Sequence, residues 1–100
     1  MAPDILVVAD DPSLRQTLVA GVRRSGCEAA LAGSGEEALA RLGRMPCALV
    51  LSAADLPRMS GLELLREIRG RCPSLPVILV IDQGGVDQAV QAVQIGARDI

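Results

Sequence analysis

No phenylalanine, tyrosine, tryptophan or histidine occurs anywhere in these 100 residues. Without rings, a core must be packed from Leu, Val, Ile and Ala, and half of the residues are hydrophobic. Lysine is missing as well, so all ten basic residues are arginine. The net charge of −2 is too small, and of the wrong sign, for a surface that grips nucleic acid. Cysteine is scarce: Cys27, Cys47 and Cys72 stand far apart, with no C-x-x-C pair. That spacing argues against a disulfide framework or a zinc site and favours three free, buried or half-buried thiols in a reducing cytosol. The opening "MAPDILVVADD" is acidic within four residues and has only a short apolar run. It reads neither as a signal peptide nor as a membrane span, and a cytoplasmic globular domain is expected.

What is present alternates. "DILVVA" (4–9) is a short continuous apolar run, the mark of a strand buried on both faces. Asp11 can cap a helix that starts at Pro12, carries Leu14, Leu18 and Val22 on one face, and stops at Gly26. "CEAALA" (27–32) reads as a weaker second strand. Residues 34–44 form a second helix, opened by Ser34 and Glu37 at capping-box spacing. "CALVLS" (47–52) is a third buried strand, and Ser60 with Glu63 opens a third helix running to Pro73, its core side Leu62, Leu65 and Ile68. "LPVILVI" (75–81) is a fourth strand, and Val86, Ala89, Val90 and Val93 mark a fourth helix.

Strand and helix alternating four times predict an α/β fold, a doubly wound parallel sheet. One domain, residues 1–100, is long enough to bury a core. Such sheets bind ligands at the carboxyl ends of their strands, near the point where strand order reverses. The residues there are Asp10 and Asp11, then Ser52, Ala53, Ala54 and Asp55, then Ile81 and Asp82. Two adjacent carboxylates repel unless water, a cation or a basic group relieves them, and hard oxygens suit Mg²⁺. Equally, Asp11 can serve only as a helix cap, with Asp10 in solvent.

Three ordered segments, "ILVVADD", "LVLSAADLPRMSGLELLREIR" and "LPVILVIDQG…AVQAVQIGARD", together resemble the receiver domain of bacterial response regulators. The resemblance covers the whole chain, and "LPRMSG" is its most specific part. It implies the flavodoxin-like receiver fold, here cut before or within the fifth strand. In that family an aspartate ending the third strand accepts a phosphoryl group from a histidine kinase. An acidic pair after the first strand holds Mg²⁺. A Thr or Ser ending the fourth strand and a Lys ending the fifth contact the phosphoryl group, and an aromatic side chain on the fifth strand often moves with the hydroxyl.

Carried over residue by residue, the acidic pair falls on Asp10 and Asp11, with Asp55 as a further metal ligand. The acceptor position, four residues before Pro57, falls on Ala53. The hydroxyl position falls on Ile81 and the aromatic position on Ile100, while the Lys has no counterpart. No catalytic residue is therefore assigned, and the chain is not expected to be an enzyme. The resemblance implies a degenerate receiver in two-component phosphorelay signalling, acting as a phosphorylation-independent interaction module. Its partners would be a histidine kinase, another receiver or an output domain. The alternative is a phosphoacceptor that uses the displaced Asp55 with Mg²⁺. A flavin binder is disfavoured, because there is no G-x-G-x-x-G turn and no ring to stack. If no fifth strand follows, the apolar edge of the fourth should recruit a second copy, giving a homodimer or other self-association.

Overall fold

The computed structural model describes residues 4–81, and the expected fourth helix, Asp82 and Ile100 lie outside them. Four parallel strands alternate with three helices: β1 (Ile5–Val8), α1 (Pro12–Arg24), β2 (Ala29–Ala32), α2 (Gly35–Arg44), β3 (Leu49–Ala53), α3 (Gly61–Arg71) and β4 (Val77–Val80). The strands lie in the order β2-β1-β3-β4. β1 stands next to both β2 and β3, so the chain winds one way from β1 and then the other. The crevice between the ends of β1 and β3 is the point where strand order reverses.

Pleating sorts the side chains. Leu6, Val8, Val50, Val77 and Leu79 share one core with Leu39 of α2 and with Leu64, Leu65 and Ile68 of α3. On the opposite face Val7 joins Val19 and Val22 of α1. Helices thus cover both faces, which is why the strands read as unbroken apolar runs. Two details go beyond the expected faces. On α1, Leu14, Leu18 and Val22 pack against the core as expected, and Val19 is buried with them. On α3, Leu65 and Ile68 are fully buried as expected, Leu64 is fully buried beside them, and Leu62 is half-buried against the same core.

The termini follow local chemistry. The Asp11 carboxylate accepts a hydrogen bond from the Leu14 amide at 3.0 Å, and Pro12 occupies the first helical position. Gly26 leaves α1 at φ 83°, a left-handed turn that a side chain would strain. Ser60 and Glu63 form the full reciprocal capping box, each bond 3.2 Å. Ser34 caps Glu37 at 3.1 Å, but the Glu37 carboxylate reaches back to the Gly33 amide instead of closing the box on Ser34. The strands are also shorter than the apolar runs suggest, since their ends turn into helix-capping loops.

Candidate functional site

The parallel register fixes what stands at the reversal point. Val8 is level with Ser52, so one residue further Ala9 is level with Ala53. On the other side of β3, Ala53 is level with Val80. The mouth between the two central strands is therefore floored by methyl groups: Ala9 is fully buried, and Ala53 and Ala54 are each 4% exposed. Ser52, the one hydroxyl nearby, is also fully buried, and it donates to the Ala53 carbonyl at 2.9 Å. Its polar need is met inside the strand, and nothing of it faces the mouth.

The carboxylates stand around this floor and not on it. Asp10, Asp11 and Asp55 are all exposed. One oxygen of Asp11 is already engaged as the cap of α1. Among the described residues, no three Asp, Glu, Cys or His side chains gather closely enough to hold a metal ion. Hard carboxylate oxygen is the right donor chemistry for Mg²⁺, and this ion often keeps several waters and takes one or two protein carboxylates. Asp10, with the second oxygen of Asp11, would supply such a pair. Among the described residues Asp55 does not join them in a three-carboxylate cage. Ile81, just past β4, is half-buried and offers no oxygen.

The loop from Ala54 to Ser60 is folded tightly onto the end of β3. The Ala54 amide donates to the Val80 carbonyl at 3.0 Å, and the Ala54 carbonyl accepts from the Gly61 amide at 2.9 Å. Gly61 is required there, because a Cβ would lie 2.7 Å from the Ala54 Cα and nearer still to the Ala53 carbonyl oxygen. Arg58 crosses the loop in the left-handed region, φ 62°, and its Nε donates to the Glu36 carboxylate at 3.3 Å. The backbone amide of Glu36, with Arg58 assisting, holds that carboxyl below its ordinary value. Met59 packs against Gly35 at the start of α2. These contacts were not legible in the sequence.

A doubly wound sheet in the order 2-1-3-4, with its reversal point between β1 and β3 and a loop of this form after β3, defines the class. A model of the response regulator receiver domain matches residues 5–100, and the chain belongs to that family. The response regulator protein FleR of Pseudomonas aeruginosa is 42% identical over 99 residues, covering 99% of this chain and 21% of the relative. The C4-dicarboxylate transport transcriptional regulatory protein DctD of Rhizobium meliloti is 38% identical, covering 98% of this chain and 21% of its own length. The chain thus spans about a fifth of the curated relatives it matches. Among solved structures, the receiver domain of NtrX from Brucella abortus superposes with a TM-score of 0.89 at 36% identity, covering 96% of this chain and 82% of that one. A response regulator receiver protein from Pseudomonas putida gives a TM-score of 0.90 at 29% identity, covering 100% and 84%. The fold is the flavodoxin-like receiver fold, and the module is that of two-component signalling. No described helix is long and apolar enough to cross a membrane.

Proposed function

We propose that this receiver domain signals through protein contact without accepting a phosphoryl group. The observation that carries the proposal is Ala53, a methyl group 4% exposed at the end of β3, where the family resemblance puts the acceptor carboxylate. A methyl group offers no lone pair to phosphorus. Ala9 and Ala54 beside it, and Ile81 at the hydroxyl position, bring neither a nucleophile nor a side-chain donor. Phosphoryl transfer depends on in-line positioning and on neutralising charge at the equatorial oxygens. Among the described residues the scaffold meanwhile is formed, with helix caps, core and loop in place. Its partner is a histidine kinase, another receiver or an output domain, and the relatives' names, which describe transcriptional regulators, favour an output domain on the same chain.

A second reading keeps Asp55 as a displaced acceptor with Mg²⁺, since Asp55 is exposed where Ala53 and Ala54 are buried. Incubating the chain with Mg²⁺ and acetyl phosphate, then recording its intact mass and peptide map, separates the two. The parent and an Asp55→Asn variant should both stay unmodified. An adduct on Asp55 that the variant loses would replace the first reading with the second.

A further inference from the structure

At the opposite end of the sheet from the methyl-floored mouth lies a cavity of about 360 Å³, bordered by the segments that lead into β3 and β4 and by the end of α3. Two thiols line it, Cys47 ahead of β3 and Cys72 at the C-terminal cap of α3, between Leu42, Leu75, Pro46 and Pro76. The β3–β4 register, followed back from Val50 level with Val77, brings Cys47 level with Ser74, two residues past Cys72. The Leu75 amide donates to the Cys72 carbonyl at 3.1 Å, which turns the chain there and holds Cys72 against the cavity. Both thiols are free and half-buried. Cys27, the third, is not among the residues of this cavity.

We propose that Cys47 and Cys72 form a reversible redox pair, closing to an intramolecular disulfide across this cavity when a peroxide oxidises them. One thiolate attacks the peroxide O–O bond, taking one oxygen as a sulfenic acid while hydroxide leaves. The second thiolate then attacks that sulfenic sulfur and displaces its oxygen as hydroxide, forming the S–S bond. In sum, two thiols and one hydrogen peroxide give one disulfide and two waters. Burial pushes the Cys47 thiol up against the opposing pull of the Leu49 and Leu6 backbone, and Cys72 adds a smaller push upward, as a neighbouring sulfur does.

The bond would tie the segment ahead of β3 to the end of α3, bracketing in sequence β3, the loop that carries Asp55, and α3. Oxidation therefore restrains the stretch from β3 to the end of α3, independently of any phosphoryl group.

The test is to expose the whole chain to hydrogen peroxide, quench with a thiol alkylator, and map peptides without reduction. The expected result is loss of the mass of two hydrogens, a Cys47–Cys72 cross-linked peptide, free alkylated Cys27, and recovery of all three thiols with dithiothreitol. Thermal unfolding of the oxidised chain should shift upward, and the shift should vanish in Cys47→Ser and in Cys72→Ser. Stable sulfenic or sulfinic acid at either cysteine without a cross-link would overturn the proposal. So would disulfides that join two chains or involve Cys27.

Discussion

Replacing glycine by alanine at two places in α3 should move stability in opposite directions. At Gly61 the added methyl meets backbone, the Ala54 Cα at 2.7 Å and the Ala53 carbonyl, and backbone cannot rotate away as a side chain can. Such overpacking costs about 1–3 kcal/mol. The shift needed to relieve it stretches the Gly61–Ala54 hydrogen bond, now 2.9 Å, which contributes about 1 kcal/mol. Alanine's gain from a stiffer unfolded chain, about 0.4–1 kcal/mol, offsets part of this. A net loss of roughly 1–4 kcal/mol follows, and each kcal/mol lowers the melting temperature by about 4–8 °C for a chain of this size. At Gly70 an added Cβ meets nothing within 4 Å, so only the helix preference remains. Gly70→Ala should stabilise by about 0.5–1 kcal/mol. Urea unfolding followed by far-ultraviolet circular dichroism reads both, as there is no tryptophan to report by fluorescence. If Gly61→Ala matched the parent, or both variants moved the same way, the claim that α3 is clamped directly onto the end of β3 would be wrong.

Other outcomes follow from the same contacts. Asp11→Ala removes the cap on the Leu14 amide and should cost about 1 kcal/mol, with Asp11→Asn recovering most of it by urea unfolding. Ile68→Ala, at a fully buried position of α3, should cost about 2–5 kcal/mol in the same assay. Arg58 sits in the left-handed region, where relief of strain favours glycine, while its exposed pair with Glu36 is screened and contributes little. Arg58→Gly should therefore be at least as stable as Arg58→Ala, and the reverse order would mean the ion pair outweighs the backbone. Because the Glu36 carboxyl titrates lower when folded, its contribution is present above the ordinary value of 4.5 and is lost as pH falls through the folded one. Carbon-detected titration of Glu36 should show its midpoint rising in Arg58→Ala. Size-exclusion chromatography with light scattering tests self-association through the β4 edge, and a clean monomer would remove it.

Much of the fold was written in the sequence because its signals are local. Caps such as Asp11, Ser34 and Ser60, and apolar runs at strand length, depend on neighbours a few residues away. What was not legible depends on packing between distant segments. Val19 and Leu64 are buried because of how α1 and α3 lean on the sheet, which helical spacing alone does not define. The Glu37 carboxylate chose the Gly33 amide over Ser34 because of how the chain enters α2. Ala53 and Asp55 could be placed by their distance from Pro57. That Ala9 stands level with Ala53 needed the β1–β3 register, and it changes the picture of the mouth. More than one group is missing from the site: Ala9 just past β1 and Ala53 at the end of β3 are both methyls, and the carboxylates stand outside.

The most direct test of that picture is a residue-resolved amide spectrum of the chain titrated with Mg²⁺ and beryllofluoride, a stable stand-in for a phosphoryl group on a carboxylate. It detects a bound group even when a phosphoryl adduct would hydrolyse before mass analysis. The account predicts that amides from Ala53 to Gly61 stay where they are with beryllofluoride, and that Mg²⁺ alone moves at most those near Asp10 and Asp11. A new, slowly exchanging set of signals centred on Asp55 would contradict it and restore phosphoryl chemistry to this receiver.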